Sequence, residues 1–530
     1  MRLRGVVVLA LALASVPTVA GARQAPDCTV RGIVLEREVP FENRFGERIA
    51  VDVHRPLADE GCRFPVVLES SVYRDWTAPQ EVDAVTEDAR RAWWVERGYA
   101  FAFADVPGTG ASEGTWCLFC TREQLSGVDI VNALGEASWS NGNVGMIGGS
   151  YPGITAMLVA QHRPKHLKAV IAAAFTDDLY SDFLFVDGLP RGEDWLTVAT
   201  VFTYIDALSA TRDMDFLSLQ AAHPTDDEWY AERRLRPEDV EVPVYVLGGW
   251  NDIFDRATWE TFDRLGSKER FLVQGPFTHV PVMPQSDAWP CADHTADFCG
   301  IGLFDRHLKG VESDAWRALE ATPVRVYVEP HDGYLAREEK PSTVPWTMPL
   351  GARGDSGSVR WDPTSGATGG RWFARGSVPG TYPPFDHLLG VDGPLDQRAE
   401  ETKVLSIATA PLEDDLTIVG GGTLSLRVRA DAVADLAVRI VDEFPVGDPQ
   451  HPEGYAYRVG GGWRRIGPAS GGWQRVEVDL WPIGYRFAAG HRLRIDVAGA
   501  DSPRFVPLDH PFTVEIDLAA SRLLMAELGV

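Results

Sequence analysis

The apolar run Asn143-Val144-Gly145-Met146-Ile147 passes without a loop into Gly148-Gly149-Ser150-Tyr151-Pro152-Gly153, which passes directly into Ile154-Thr155-Ala156-Met157-Leu158-Val159-Ala160. The first segment reads as a buried strand and the last as a helix. A serine on so sharp a strand-to-helix turn is held with its hydroxyl exposed, and small flanking residues make room for the bend. The helix N-terminus behind it offers backbone N–H groups to a developing oxyanion. Pro152 departs from a strict G-x-S-x-G pattern. Proline is tolerated in the first helical turn, where its missing N–H is not needed. The competing reading is a glycine-rich β-to-α turn with no chemical role, since short motifs of this kind also arise by chance.

From Ile33 to Glu329 apolar runs alternate with amphipathic stretches, the pattern of a mostly parallel sheet covered by helices. Strands are expected at Pro65–Glu69, Ala100–Asp105, Val144–Gly148, Ala169–Ala173, Val242–Gly248, Arg270–Gln274 and Val324–Glu329, several of them near-continuous in apolar residues as doubly buried strands should be. Helices are expected at Glu87–Arg97, Glu123–Ala137, Tyr151–His162, Arg256–Arg264 and Gly302–Lys309. The rhythm breaks over residues 177–241, where Tyr180, Phe183, Phe185, Trp195, Phe202, Tyr204 and Trp229 recur at helical spacing; this reads as a cap inserted above the sheet. After about Pro345 short alternating strands follow, at Thr423–Arg429, Leu436–Asp442, Gln474–Leu480 and His491–Ala498. Gly420-Gly421-Gly422 and Gly460-Gly461-Gly462 read as turns between them, which makes residues 346–530 an all-β jelly-roll sandwich.

A chain of 530 residues exceeds what one core serves, consistent with this division. The formal charge of −26 argues against nucleic acid and anionic membrane surfaces as partners, since both demand basic patches. Residues 1–22 read as a signal peptide: a basic Met1-Arg2-Leu3-Arg4, an apolar stretch from Gly5 to Val16, and a cleavage site at Ala20-Gly21-Ala22. No later run reaches the roughly 18 apolar residues of a membrane span, so a secreted or periplasmic product is expected. Six cysteines in an oxidising compartment suggest disulfides, and pairing of neighbours gives Cys28 with Cys62, Cys117 with Cys120, and Cys291 with Cys299. A metal at His294 with Cys291 and Cys299 is the weaker reading.

A serine hydroxyl needs a histidine to take its proton and a carboxylate to fix that histidine. In a doubly covered sheet with a nucleophile elbow, these follow the serine in the order acid, then histidine, each after a strand. Val242–Gly248 is followed by Gly249-Trp250-Asn251-Asp252, and Arg270–Gln274 by Gly275-Pro276-Phe277-Thr278-His279. Asp252 and His279 thus fall where a triad with Ser150 requires them. Asp252 could instead cap the helix near Asp255, and His279 could be an ordinary loop histidine. The other histidines fit less well. His162 and His166 end the elbow helix, His307 lies inside a helix, and His387, His451, His491 and His510 belong to the β domain; His331 is the nearest rival. The pattern predicts an α/β-hydrolase core spanning 28–345 with a helical cap, followed by the jelly roll.

The motifs Asn141-Gly142-Asn143-Val144-Gly145-Met146, Gly148 to Gly153, Gly249-Trp250-Asn251-Asp252, Gly275-Pro276-Phe277-Thr278-His279, Phe304-Asp305-Arg306-His307-Leu308-Lys309-Gly310 and Ala489-Gly490-His491-Arg492-Leu493 span both domains. Together they resemble the cocaine-esterase-like (CocE/NonD) branch of the X-Pro dipeptidyl-peptidase family. The resemblance implies Ser150 as nucleophile, Asp252 as orienting acid and His279 as general base. It also implies an oxyanion hole made of the Tyr151 N–H and the Tyr73 hydroxyl, within Ser71-Val72-Tyr73-Arg74-Asp75. One departure stands out. The family pattern D-x-R-G-x-x-x-S-x-G is met by Asp105-Val106-Pro107-Gly108-Thr109-Gly110-Ala111-Ser112-Glu113-Gly114, with proline where the arginine belongs. Bracing by that arginine is then absent or supplied from elsewhere, a Cys117–Cys120 bridge being one source.

The expected chemistry is acyl transfer to water from a small-molecule ester or amide, without metal or organic cofactor, most simply as a carboxylesterase. Phe254 and Trp195 are candidates for an apolar acyl pocket, with core packing as the alternative. An X-Pro dipeptidyl-peptidase, or an α-amino-acid ester hydrolase or β-lactam acylase, would need carboxylates free to hold an amine. Asp177, Asp178, Asp182, Glu193 and Asp194 are the acidic residues of the cap, and solvated faces account for them equally well. A non-catalytic carbohydrate-binding jelly-roll protein is the alternative from another class. Oligomeric state is not legible.

Overall fold

The computed structural model describes residues 27–74, 91–209, 214–279, 300–330, 334–363, 396–399, 401, 404–468, 472–502 and 504–529. The leader 1–22, Cys291, His294, Cys299, His331 and His387 lie outside them, as do residues 87–90 of the helix expected at Glu87–Arg97, whose described part is helical over residues 91–96.

The first domain is built on ten strands: β1 (Ile33–Glu42), β2 (Arg48–Pro56), β3 (Phe64–Ser71), β4 (Ala100–Asp105), β5 (Ser140–Gly149), β6 (Leu167–Ala173), β9 (Val244–Asn251), β10 (Arg270–Thr278), β11 (Val324–Tyr327) and β12 (Tyr334–Arg337). They lie in the order β1-β2-β4-β3-β5-β6-β9-β10-β11-β12. Pairing is parallel from β4 through β11 and antiparallel at both edges. All seven strands expected from the sequence are present. The antiparallel strands β1, β2 and β12 are not apparent in the sequence, because their mixed polarity lacks the continuous apolar run of the parallel strands, although β2, between β1 and β4, is buried along nearly its whole length.

Helices α1 (Thr121–Glu136) and α2 (Tyr151–Ala160) cover one face of the sheet, with Leu134 and Met157 in a core that continues into the cap through Phe202. The other face packs against Trp94, Phe304 and Trp316. The cap begins with a π-helical turn, Leu179–Leu184. A short hairpin of β7 (Phe185–Val186) and β8 (Leu189–Pro190) follows, and then α3 (Glu193–Leu208). Helix α4 (Asp255–Arg264) follows β9. The segment expected as one helix over Gly302–Lys309 is an α-turn, Ile301–Phe304, continuing as a π-turn, Asp305–Lys309.

The second domain is a two-sheet β sandwich. One sheet orders β13 (Thr343–Pro349), β21 (Phe512–Leu528), β16 (Leu416–Ala430) and β19 (Gln474–Phe487), with β14 (Ser356–Trp361) also on β21. The other orders β15 (Leu405–Ala408), β20 (Arg492–Ala498), β17 (Ala434–Phe444) and β18 (Tyr455–Ile466). Leu424, Val438, Ile495 and Val514 meet in its core. The two glycine triplets are not turns. Gly420–Gly422 lies inside β16 at a bulge, and Gly460–Gly462 lies inside β18. The reason is close packing: a Cβ on Gly461 would sit 2.3 Å from the Val438 carbonyl oxygen, and one on Gly462 2.1 Å from that of Asp479. The sandwich sits against the strand that ends in the site, since a Cβ on Gly484 of β19 would lie 2.7 Å from Trp250 Nε1, and the Glu329 N–H, just beyond β11, donates to the Gly484 carbonyl (2.8 Å).

The structure pairs Cys28 with Cys62 and Cys117 with Cys120, with Cα atoms 5.5 and 5.6 Å apart.

Candidate active site

Strand β5 ends at Gly149, and α2 starts at Tyr151, so Ser150 alone makes the turn. Its backbone is held at φ 59°, ψ −127°, outside the ordinary regions for an L-residue. Such a conformation costs about 1–3 kcal/mol and persists only where the surroundings enforce it. Two surroundings do so. The Ser150 N–H donates to the carbonyls of Ala173 (3.0 Å) and Ala174 (3.1 Å) at the end of β6. The turn also closes on itself: a Cβ on Gly148 would meet Pro152 at 2.4 Å, and one on Gly153 would meet the Ala173 oxygen at 2.7 Å. The proline at 152 is thus accommodated by glycine at 148, and the glycine requirement moves one residue on, to 153.

Asp252 follows β9 and His279 follows β10, neighbouring strands in the sheet. His279 Nδ1 lies 2.6 Å from Asp252 Oδ1, and His279 Nε2 lies 3.0 Å from Ser150 Oγ. A carboxylate only accepts, so Nδ1 carries the proton and Nε2 presents a lone pair to the serine. Asp252 and His279 are 3% and 5% exposed, so water does not compete for either bond. Phe254, not Asp252, occupies the N-cap position of α4. The rival histidines within the described residues have other partners: His162 with Gln124, His166 with the Gly142 carbonyl, His307 with Glu269, and His491 with Asp442.

Tyr73 lies two residues beyond the end of β3. Its hydroxyl shares a hydrogen bond with the Ser150 side chain and accepts one from the Tyr151 N–H. Burial pushes this phenol up to about 12, against the pull of those two bonds, so it is a neutral donor at any working pH. Two donors and the serine oxygen therefore converge at one point. Phe254 meets His279 edge-on, with ring centroids 5.6 Å apart. Phe183 meets Phe254 at 5.4 Å, and Trp195 meets Phe183 at 5.4 Å. Phe254 thus touches the histidine, whereas Trp195 stands two rings away, inside the cap core.

Two groups around the site were not found from sequence. Glu123 on α1 is buried and accepts from the Tyr151 hydroxyl (2.7 Å), while the Trp116 indole N–H donates to that same hydroxyl (2.8 Å). The Phe119 N–H donates to the other Glu123 oxygen (2.9 Å), and the Phe119 ring lies 4.1 Å from that of Tyr151. Arg74 bonds Asp105 and Asp52, described below. Only Tyr73 beside Arg74 hinted at the second group; nothing local ties Glu123 to Tyr151.

Burial pushes Glu123 up to about 7, from 4.5, against the hydrogen bonds from Tyr151 and Phe119. The folded protein therefore keeps this proton over a range where the unfolded chain has released it. The stability it contributes is full below pH 4.5 and lost as pH rises through 7, by up to about 3 kcal/mol at roughly 1.4 per unit. Glu123→Gln cannot ionise yet keeps an acceptor for Tyr151. Its melting temperature relative to the parent protein is expected to rise by several degrees between pH 5 and pH 8.5. A difference that does not change with pH would contradict this.

Three of the acidic cap residues, Asp177, Asp178 and Asp182, are not solvated faces. Arg256 pairs with Asp182, its Nε 3.0 Å from Oδ1; Arg264 pairs with Asp177; and Arg234 lies 2.8 Å from Asp178. Long-range partners, invisible in a local reading, neutralise each of the three.

Residues 46–281 match the family described as X-Pro dipeptidyl-peptidase (S15 family), and residues 306–527 match the X-Pro dipeptidyl-peptidase C-terminal non-catalytic domain. The cocaine esterase of Rhodococcus sp. (strain MB1 Bresler) is 26% identical over 550 residues, covering 87% of this chain and 90% of that protein. A CocE/NonD family hydrolase from Staphylococcus aureus superposes with a TM-score of 0.73 at 17% identity, over 93% of this chain and 94% of that one. An aminopeptidase from the marine sediment archaeon Thaumarchaeota archaeon superposes with a TM-score of 0.75 at 19% identity, over 97% and 99%. At these identities the two structures speak for the fold: an α/β-hydrolase core with a separate C-terminal all-β domain.

Proposed function

Because this chain belongs to the X-Pro dipeptidyl-peptidase (S15) family of serine hydrolases, we propose that it is an exported carboxylesterase in which Ser150, His279 and Asp252 form the catalytic triad. Ser150 Oγ attacks the ester carbonyl carbon as His279 Nε2 takes its proton. Asp252 stays ionised and stabilises the imidazolium through Nδ1. The carbonyl oxygen becomes an oxyanion held by the Tyr151 N–H and the Tyr73 hydroxyl. The C–O bond to the leaving alcohol then breaks, and Nε2 returns its proton to that alcohol. Water attacks the acyl-enzyme by the same route, releasing the acid and restoring Ser150. Phe254, beside His279, forms part of the acyl pocket.

One observation carries the hydrolytic reading: the continuous relay from Asp252 to His279 to Ser150, at 2.6 and 3.0 Å. Preference for simple esters is supported by the cap. Asp177, Asp178 and Asp182 are each paired with an arginine, so these three are not free to receive a substrate ammonium. A panel of p-nitrophenyl esters, Gly-Pro-anilide and phenylglycine methyl ester tests this. Fast turnover of the simple esters is expected. Faster turnover of the anilide or the amino-acid ester would replace the reading with an amine-directed one. Export is supported by the leader sequence and two disulfides, and N-terminal sequencing of the protein recovered outside the cytoplasm should begin near Arg23.

Tyr73→Phe removes one oxyanion donor and little else. It is expected to lower kcat by about 10²–10³-fold while KM stays within a few-fold. A loss below about threefold would take Tyr73 out of the oxyanion hole.

A further inference from the structure

An oxyanion donor must be fixed before the charge appears, since a donor that has to be ordered during the reaction gives back most of its advantage. The Tyr151 N–H is fixed by the elbow. Tyr73 is not on a strand, and among the described residues its own backbone is tied locally by one bond, from its N–H to Ser71 Oγ (3.1 Å). The next residue is anchored far more firmly. Arg74 Nε donates to Asp105 Oδ1 and its Nη1 to Asp52 Oδ2, each at 2.6 Å. Both carboxylates are 1% exposed, and the arginine side chain 16%. Each carboxylate is held in turn: Asp105 by the Ala111 N–H (2.9 Å), and Asp52 by the Glu38 N–H (2.8 Å) and Arg37 (3.4 Å). The guanidinium carbon also lies 5.4 Å from the centre of the Phe103 ring.

Asp52 belongs to β2 and Asp105 ends β4, two paired strands, so the anchor is set in the sheet itself. A planar fork gripping two fixed carboxylates has little freedom. Asp105 is also the acid whose expected arginine, two residues on, is Pro107 here.

We propose that Arg74 is a positioning residue: clamped between Asp52 and Asp105, it sets the adjacent Tyr73 hydroxyl at the oxyanion site, and so supplies the bracing absent at position 107. This rests on the reading of Tyr73 as an oxyanion donor.

The test is a double-mutant cycle on a p-nitrophenyl ester, with Tyr73→Phe, Arg74→Met, Arg74→Lys and the two double variants, each checked by thermal melting. Arg74→Met is expected to lower kcat by about 10–100-fold with KM within about threefold. Added to Tyr73→Phe, it is expected to cost less than about threefold more, because the residue through which it acts is gone. Arg74→Lys keeps the charge but reaches only one carboxylate, so a smaller loss is expected, again vanishing in the Tyr73→Phe background. If Arg74→Met does not fold, the lysine variant carries the cycle. Penalties that multiply in full, or an Arg74→Met or Arg74→Lys variant with unchanged kcat, would overturn the proposal while leaving Tyr73 in place. A Tyr73→Phe variant of normal activity would remove the Tyr73 reading itself, and this proposal with it.

Discussion

Ser150→Ala is expected to lower kcat by about 10⁶-fold, the scale seen when the nucleophile of a serine triad is removed. The fold should survive. Alanine differs from serine only by the hydroxyl, and the elbow is enforced by the Ala173 and Ala174 carbonyls and by the contacts at Gly148 and Gly153, none of which involves Oγ. The melting temperature is therefore expected to stay within about two degrees of the parent protein. The serine and the histidine act as one unit, so adding His279→Ala to Ser150→Ala should cost little further. Steady-state kinetics of the two single variants and the double variant measure this. Losses that multiply would mean that the two side chains work independently, which their 3.0 Å contact does not allow.

Asp252→Asn is the second large effect, expected at about 10⁴-fold in kcat with KM nearly unchanged. The side chain keeps its shape and its place beside Nδ1. Its amide, however, offers an N–H₂ as readily as an oxygen to the ring nitrogen 2.6 Å away. An amide donating to Nδ1 leaves the neutral imidazole protonated at Nε2. That nitrogen then donates toward Ser150 instead of accepting, and the general base is lost. A buried imidazolium would also lack its counter-charge. Titration of the histidine ring by NMR in parent and variant reads the tautomer directly. A loss below about tenfold would show that Asp252 serves only to hold a loop.

The elbow, the acid and the histidine were legible because their information is local. A parallel sheet delivers its strand ends to one rim, so Gly148-Gly149-Ser150, Asn251-Asp252 and Thr278-His279 had to meet once β5, β9 and β10 were recognised. The groups missed are ones whose partners lie far along the chain. Arg74 reaches Asp52 and Asp105 across 22 and 31 residues. Arg256 reaches Asp182 across 74, and Arg264 reaches Asp177 across 87. Nothing near any of these arginines marks its partner, so the cap carboxylates looked solvated. Glycine misled for a related reason. At Gly461 and Gly462 it serves close approach of a neighbouring carbonyl rather than a turn, and the two uses look alike in one dimension. The antiparallel strands β1 and β2 lacked the continuous apolar run that marked the parallel strands.

The most direct test of the central claim is the site of covalent labelling by an aryl phosphonate ester, read as peptide mass after proteolysis. One adduct is expected, on the peptide that contains Ser150, appearing in step with loss of esterase activity and absent from His279→Ala. Full inactivation with the adduct on another residue, or equal labelling of the Ser150→Ala variant, would contradict the account.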